Sequence, residues 1–306
     1  MKIISKKEFE KLNNTVVTVG KFDGLHKGHQ KILNVMAELK VEGYESVLFT
    51  FKRAPKEVLN KKKMEYILTQ KEKEEFLENR GVDYYIEYPC DENVLNTPAE
   101  DFIKNILVEK IGAKVIVCGT DFRFGRNREG DIYLLQALRE QLGYEVIVLD
   151  KLKYGNADIS SSRIREATLK GDISLVNELL GYNYTVIGEV VHGNKIGRTM
   201  GFPTANIVAD DNKLLPPFGV YYTKVEIDGK YYKGITNVGK KPTISDKNPV
   251  NVETHILGYE GDLYGKILEV EFLKYVRPEM KFESVEILEK QIKTDVLGCK
   301  AFVVDI

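Results

Sequence analysis

The segment from Val19 to His29 brings two histidines and three glycines together in Val19-Gly20-Lys21-Phe22-Asp23-Gly24-Leu25-His26-Lys27-Gly28-His29. It follows a β-branched run, Thr15–Val19, that predicts a buried strand, and it precedes apolar residues at helical spacing. A turn between a strand and a helix points backbone N–H groups outward, and such amides bind anions. The pattern therefore predicts a phosphate site at this turn.

Two features of the turn suit a phosphate. His26 and His29 are three residues apart, so both imidazoles should share one face of the helix start. Gly24 and Gly28 lack the side chains that would block a close approach. The chain has no Gly-x-x-x-x-Gly-Lys-Ser/Thr and no Gly-x-Gly-x-x-Gly segment, so the commoner phosphate motifs are excluded. A solvated helix start with two surface histidines is the simpler alternative.

Arginines lie in the first turn of a second predicted helix, in Ile159-Ser160-Ser161-Ser162-Arg163-Ile164-Arg165. Serines cap such a start, but an isolated helix favours acidic residues there because its N-terminal dipole is positive. Arginine at this place is explained if an external polyanion binds, since a guanidinium takes phosphate oxygens in pairs. The alternative is a serine-capped helix with exposed arginines.

A third segment, Val117–Arg126, ends a predicted strand and carries Asp121 and Arg126. Open α/β sheets bind their ligands at this carboxyl edge. From the residues alone, a plain turn with solvated arginines is an equal alternative.

Oxygen-bearing side chains follow a glycine-rich loop in the second half of the chain, within Gly193–Asn206. Thr204 and Asn206 are two residues apart, so in extended backbone their oxygens lie on one face and can meet a hard cation, for which Mg²⁺ is expected. A hairpin loop with an edge strand at Pro203 is the alternative.

One further strand, Val252–Ile256, places Glu253 and His255 on one face. An acidic residue on a strand is often only solvent-facing, and a lone histidine is usually structural. The spacing by itself assigns neither residue a catalytic role.

The elements that carry these segments change character near residue 183. Before it, β-rich runs alternate with amphipathic stretches, which is typical of parallel βαβ units. After it, short strands follow one another between Gly and Pro turns, which predicts a small antiparallel barrel covered by a terminal helix over Ser284–Thr294. That helix carries Val285, Leu288 and Ile292 at i, i+3 and i+7, the face expected to cover one side of the barrel. We predict an α/β domain with a Rossmann-like parallel sheet over 1–183 and an all-β barrel domain with a C-terminal helix over 184–306.

The predicted elements have these limits. In the first domain the runs cover Thr15–Val19, Ser46–Phe51, Lys71–Asn79, Tyr84–Tyr88, Ala99–Ile111, Lys114–Cys118, Glu145–Leu149, Ser160–Lys170 and Ile173–Leu180. In the second domain the strands cover Tyr184–His192, Gly219–Ile227, Lys230–Asn237, Asn251–Leu257 and Ile267–Tyr275.

Composition excludes several classes of function. The chain has 306 residues, which suits two cores, and a net charge of −1 with interspersed charges, which argues against nucleic acid and membrane surfaces as partners. Cys90, Cys118 and Cys299 lack Cys-x-x-Cys spacing, which argues against a disulfide framework, a zinc site and a redox pair. Neither a signal peptide nor a membrane-spanning apolar run is found, so we expect a cytoplasmic protein.

The pattern Gly-x-Phe-Asp-Gly-x-His-x-Gly-His resembles the signature of the adenylyltransferase domain of bacterial bifunctional riboflavin kinase/FAD synthetases. That family's Ile-Ser-Ser-Thr-x-Ile-Arg motif holds a triphosphate, and here Ser162 replaces the threonine. Its Gly-x-Asp-Phe-x-Phe-Gly loop corresponds to Gly119–Gly125. The resemblance implies catalytic roles for His26 and His29. It implies an ATP and FMN site at Gly20, Phe22, Asp23, Gly24, Gly28, Asp121, Arg126, Ser161, Ser162 and Arg165.

The second half resembles the riboflavin kinase of the same family, through Gly-Phe-Pro-Thr-Ala-Asn at 201–206 and Val-Glu-x-His-Ile at 252–256. The family's strand carries its catalytic base, which assigns that role to Glu253. Thr204 and Asn206 become the Mg²⁺ ligands. The implied ATP and flavin residues are Gly193, Gly197, Arg198, Gly201, Phe202, Pro203 and Arg277.

The resemblance covers nearly the whole chain and implies two reactions: phosphorylation of riboflavin to FMN, and adenylylation of FMN to FAD. The expected partners are riboflavin, FMN, FAD and ATP, with Mg²⁺ and without nucleic acid or membrane; the oligomeric state stays open. A monofunctional riboflavin kinase with a regulatory N-terminal domain and a ligand sensor without turnover are the alternatives.

One segment departs from the family. After the strand Val47–Phe51 the family usually reads Thr-Phe-x-Pro-His-Pro, whereas this chain reads Thr50-Phe51-Lys52-Arg53-Ala54-Pro55. Ala54 cannot replace a histidine that contacts phosphate or flavin. We expect FAD synthesis to survive because Arg53 supplies the missing donor.

Overall fold

The computed structural model describes residues 1–52, 64–193, 197, 200–240 and 250–303, with Lys240 described by its backbone alone. Two compact units make up the chain, residues 1–64 with 68–160 and residues 65–67 with 161–306. Arg53, Ala54 and Arg198 lie outside the described residues, so the compensation by Arg53 and the role of Arg198 stay predictions.

A parallel sheet is the centre of the first unit, as predicted. Its strands are β1 (Lys2–Ile4), β2 (Thr15–Val19), β3 (Glu45–Phe51), β4 (Tyr84–Tyr88), β5 (Ala113–Gly119) and β6 (Glu145–Leu149). Their order is β1-β4-β3-β2-β5-β6, and every neighbouring pair is parallel. β2 and β3 are buried almost throughout, because helices cover both faces of such a sheet.

The helices of the first unit follow the strands. They are α1 (Lys27–Val41), α2 (Gln70–Asn79), α3 (Glu92–Leu95), α4 (Ala99–Asp101), which continues as a π-helix over Phe102–Lys110, and α5 (Ile132–Leu142). α1 buries Ile32, Leu33 and Met36, the apolar face that its sequence spacing indicates. α2 begins with a capping box in which Thr69 and Glu72 bind each other's backbone amides. Short pieces complete the unit: a 3₁₀ turn at Arg126–Arg128 and a hairpin of β7 (Lys153–Tyr154) and β8 (Ala157–Asp158).

The second unit contains the predicted barrel. Its strands are β9 (Tyr184–Val191), β10 (Ala205–Ala209), β11 (Gly219–Ile227), β12 (Lys230–Lys240), β13 (Val250–Ile256) and β14 (Ile267–Arg277). They close in the order β10-β13-β12-β11-β14-β9, with antiparallel pairing. Three fully buried threonines satisfy one another inside: Thr236 Oγ1 lies 2.8 Å from both Thr223 Oγ1 and Thr254 Oγ1.

Two helices belong to the second unit although they precede residue 183. α6 (Ser161–Lys170) and α7 (Ile173–Leu180) begin it, and α7 ends at Gly181 in the left-handed conformation that the sequence indicates. Asn177 ties α7 to the barrel, because its amide donates to Phe272 O and its oxygen accepts from Tyr184 N. The functional boundary at 183/184 stays a prediction.

The terminal helix α8 (Val285–Ala301) is longer than the predicted Ser284–Thr294, and it presents a different face. Val285, expected to cover the barrel, is 61 % exposed. Asp295 and Cys299 are the buried residues instead, and Cys299 packs with Val220 and Ile235. Across the described part of the chain, every helix is too short or too polar to cross a bilayer.

Two candidate active sites

The turn between β2 and α1, called the phosphate loop below (residues 20–29), has an unusual backbone. Phe22, Gly24 and Leu25 all have positive φ angles, of 48°, 80° and 36°. This conformation is unfavourable for residues other than glycine, so packing must hold it in place. Phe22 is buried and its ring lies where a side chain at Gly20 would begin, 2.9 Å from an ideal Cβ. Gly20 is therefore needed for the fold of the loop.

His26 caps α1 with its imidazole. Its Nδ1 accepts a hydrogen bond of 3.3 Å from the backbone N–H of His29, and its ring stacks on that of His29 with centroids 3.7 Å apart. An ideal Cβ at Gly28 would lie 3.2 Å from the His26 ring, so glycine leaves room for the cap. The sequence correctly places the two histidines together, and Gly28 leaves space for the His26 ring. A contact of Gly28 with a ligand stays a prediction.

Both histidines are neutral at neutral pH. Burial lowers the pKa of His26 to about 4, against the opposing fields of Asp23 and Asp121. Burial, with His26 and Lys73 adding to it, holds the pKa of His29 well below its usual value. Because Nδ1 of His26 accepts a hydrogen bond, its proton resides on Nε2, which is then a donor.

Lys73 on α2 is a residue that the sequence reasoning missed. It is 5 % exposed, and its Nζ donates to the carbonyl of Lys21 in the phosphate loop over 3.2 Å. Burial lowers its pKa, while Asp23 and Glu87 oppose that shift. A buried ammonium is costly unless something anionic compensates it. The only sequence signal is a lysine in an amphipathic helix, which does not mark burial.

Asp121 and Arg126 have different surroundings. Asp121 is exposed after β5, its carboxylate pairs with Lys151 at 2.9 Å, and its field acts on His26. The Arg126 guanidinium lies 3.6 Å from Glu129, and no described hydrogen bond or ion pair connects it with the phosphate loop. Asp121 thus interacts electrostatically with His26, whereas the ion pair found for Arg126 is with Glu129.

Ser161, Ser162 and Arg165 lie at the start of α6, in the second unit. The guanidinium of Arg165 donates to the carbonyl of Glu65 over 2.7 Å. The triphosphate role of these three residues stays a prediction.

A cavity of about 660 Å³ lies in the second unit at one end of the barrel. Residues from the glycine-rich loop, β10 and β13 line it, among them Gly193, Pro203, Thr204, Asn206 and Thr254. Thr204 and Asn206 thus face one space, as their spacing indicates. Their oxygens are hard donors of the kind that Mg²⁺ prefers.

Asn206 and Glu253 are direct neighbours across β10 and β13. Asn206 is buried, and its amide fills the space beside Gly193, where an ideal Cβ would lie 2.4 Å from it. Asn251, a second residue that the sequence reasoning missed, donates 3.0 Å to Asn206 Oδ1 and 2.6 Å to Glu253 Oε1. Asn251 lies two residues before Glu253 and therefore on the same face of the strand. This spacing is the sequence signal that points to Asn251.

The glycine-rich loop is tied to the barrel by His255. Its Nδ1 lies 2.8 Å from the carbonyl oxygen of Pro203, and its ring meets Phe202 edge-on. Phe202 N in turn donates to Gly197 O, and Gly201 has the left-handed φ of 82°. His255 therefore positions Phe202 and Pro203 at the described end of the loop, in line with the structural role expected of it.

Arg277 makes a bidentate ion pair with the buried Asp295 of α8, with its closest contact at 2.7 Å. Its NH1 also donates to Pro278 O. These contacts connect β14 with the terminal helix. A flavin contact of Arg277 stays a prediction.

Comparison with known proteins decides the family. The FAD synthetase family profile matches residues 8–163, and the riboflavin kinase profile matches residues 180–303. A bifunctional riboflavin kinase/FMN adenylyltransferase of Buchnera aphidicola from Acyrthosiphon pisum is 38% identical over 93% of this chain and 92% of its own. The protein of that description from Escherichia coli K12 is 34% identical over 94% and 92%. The chain belongs to this family.

A solved structure agrees over the full length. The crystal structure of a protein described as a macrolide-efflux protein from Streptococcus pneumoniae matches with a TM-score of 0.88 and 31% identity, covering 99% of this chain and 100% of that one. That protein and this chain therefore share one fold over their full lengths. Membership identifies the chain as an enzyme with a riboflavin kinase part and an FMN adenylyltransferase part.

The donor set at the barrel cavity fits Mg²⁺ held jointly with a nucleotide. No cluster of three His, Cys, Asp or Glu residues that could hold a metal alone is found among the described residues. Mg²⁺ seldom needs one, since it binds one or two protein oxygens together with phosphates and water. Thr204 and Asn206 supply such oxygens.

Proposed function

We propose that the chain phosphorylates riboflavin to FMN in the barrel cavity and adenylylates FMN to FAD at the phosphate loop, with ATP as co-substrate of both reactions. The observation that carries this proposal is the match of two family profiles to successive parts of the chain, each with its own cluster of polar groups. The monofunctional kinase is not favoured, because the relatives span both parts.

In the kinase reaction, Glu253 accepts the proton of the ribityl hydroxyl as that oxygen attacks the γ-phosphorus of ATP. Thr204 and Asn206 would hold Mg²⁺, which when bound would neutralise charge on the transferring phosphoryl group. FMN and ADP leave. The support is the cross-strand pairing of Asn206 and Glu253, which sets the proposed base beside a proposed metal ligand.

In the adenylyl reaction, the FMN phosphate attacks the α-phosphorus of a second ATP, and pyrophosphate leaves. Nε2–H of neutral His26 and the backbone amides near Gly24 stabilise the charge that develops on the phosphates. No protein nucleophile is needed, because holding both substrates in line suffices. The contribution of Ser161, Ser162 and Arg165 rests on the family motif. We also propose that the enzyme acts in the cytoplasm.

The two activities should separate by mutation. Glu253→Gln should abolish FMN formation and leave conversion of supplied FMN to FAD intact, because the proton acceptor is lost in one cluster only. His29→Ala should do the converse, since it removes the ring on which His26 stacks. Chromatographic separation of riboflavin, FMN and FAD after incubation with ATP and Mg²⁺ measures both. Loss of both reactions in either folded variant would contradict independent sites.

A further inference from the structure

We infer that Asn251 is a positioning residue of the kinase reaction, which sets Glu253 and Asn206 relative to each other through one side-chain amide. The inference rests on the proposed kinase function. Asn251 is 8 % exposed, and its Nδ2 donates to both residues, over 2.6 Å to Glu253 Oε1 and 3.0 Å to Asn206 Oδ1. The proposed base and the proposed metal ligand are thereby joined by a single rigid group.

The chemistry of an amide suits this task. Its NH₂ has two donors at a fixed angle, so each hydrogen bond restricts the other. The carbonyl oxygen of Asn206 has two lone pairs, and accepting from Asn251 leaves the second for a cation. The donated hydrogen bond also fixes which end of the Asn206 amide presents its oxygen. An incorrectly turned amide would offer Mg²⁺ an NH₂ group, which cannot bind it.

A merely structural asparagine is a poor explanation at this position. Asparagine is disfavoured in strands, and Asn251 lies in β13 between β10 and β12, where it is opposite Val208 and Gly239. The backbone already pairs with both neighbours. Both side-chain donors are used on the two proposed functional groups.

The test compares variants in the full-length protein. Asn251→Asp keeps the shape but replaces the donor with an oxygen that repels Glu253, and Asn251→Ala removes the amide. Both should lower kcat of FMN formation at least tenfold with the KM for riboflavin within twofold. Both should also weaken binding of Mn²⁺ in the presence of ADP at least threefold, measured from the free-Mn²⁺ electron paramagnetic resonance signal.

Asn177→Asp is the matched control, since it removes two amide hydrogen bonds of the same unit, to Phe272 O and Asn183 Oδ1. It should lower the thermal midpoint without changing kcat or Mn²⁺ binding. If the Asn251 variants behave in the same way, the inference is wrong.

Asn251→Thr covers the case that neither variant folds. A hydroxyl retains one of the two hydrogen bonds, so kcat should fall at least threefold and remain above that of Glu253→Gln. A wild-type kcat and wild-type Mn²⁺ binding in this variant would overturn the inference. A wild-type protein that makes no FMN would instead overturn the proposed function, which keeps the two failures distinguishable.

Discussion

At the scale of single residues, both sites contain buried polar groups that are held by specific hydrogen bonds. His26 reaches the amide of His29, Lys73 reaches the carbonyl of Lys21, and Asn251 reaches two side chains on neighbouring positions of the barrel. Each buried polar group is costly without its partner, so the geometry of the partners is strongly constrained.

His26 should make the unfolding free energy of the protein depend on pH. The unfolded histidine binds a proton near pH 6.5, but the native one does so only near pH 4. As pH falls between these values, the unfolded state gains protons that the native state does not, so His26 should cost about 2 kcal/mol of unfolding free energy at pH 5 relative to pH 7. His26→Asn keeps a capping oxygen and should lose this part of the pH dependence. Urea unfolding at both pH values measures it; an unchanged pH dependence in the variant would contradict the assignment.

Lys73 should contribute to the conversion of FMN to FAD. Lys73→Met removes the ammonium beneath the phosphate loop and its hydrogen bond to Lys21, a charged bond typically worth about 2 kcal/mol. Conversion of FMN to FAD should slow by about tenfold or more, while FMN formation is unchanged. Lys71→Met on the same helix is the control, because the Lys71 side chain is 68% exposed. Equal rates in the two variants would remove Lys73 from the site.

At the scale of elements, the terminal helix is held to the barrel by a buried ion pair. The Arg277 and Asp295 side chains are 16% and 5% exposed, and Gln291 also donates to Asp295 over 2.9 Å. Cys299 and its apolar neighbours add packing further along α8. The helix is therefore held by an ion pair and by apolar contacts, on a face other than the one that its sequence suggests.

Removing one partner of this pair should destabilise the barrel unit. Asp295→Ala leaves Arg277 buried without its carboxylate, so the unfolding free energy should fall by about 3 kcal/mol. Arg277→Met combined with Asp295→Leu should recover most of it, since the uncompensated charge is gone. Denaturant unfolding of the three proteins measures the effect. Additive losses in the double variant would mean that the two side chains act independently.

At the scale of the whole molecule, the second unit starts before the barrel. α7 buries Ile173, Val176, Leu179 and Leu180, and Asn177 binds the backbone at both β9 and β14. Burial of these four apolar side chains contributes on the order of 6 kcal/mol or more. The whole unfolding free energy of a small domain is typically about 5–15 kcal/mol, so this contribution is a large part of it.

Fragments of the second unit with and without α6 and α7 should differ in stability. A fragment over 161–306 should fold cooperatively and make FMN, whereas one over 184–306 should be less stable or insoluble because it lacks α6 and α7. Circular dichroism melting and the FMN assay compare them. Equal stability of the two fragments would show that α6 and α7 add nothing to the barrel.

The two architectures follow from patterns in the amino-acid sequence alone, and so do two pairings of side chains in the candidate sites. Period-two and helical patterns are local, so β2, β4, β6, β11 and α7 were predicted with the bounds that the structure has. The pairing of His26 with His29, and of Thr204 with Asn206, follows from spacing along one element. β10 appears in the sequence analysis only as an alternative, an edge strand at Pro203, because it is short and follows a loop rich in glycine.

Which polar side chains are buried together depends on how the elements pack in three dimensions. Lys73, Asn251 and Asp295 have partners 52, 45 and 18 residues away, and no local period encodes such pairs. Gly28 suits its position because the His26 ring occupies the space next to it. On α8, Asp295 is buried and Val285 is exposed because of how the helix packs on the barrel. Local patterns in the sequence specify helices and strands through residue propensity, so these elements can be predicted from the sequence. Buried polar contacts are specified by packing between elements, so the sequence alone does not predict them.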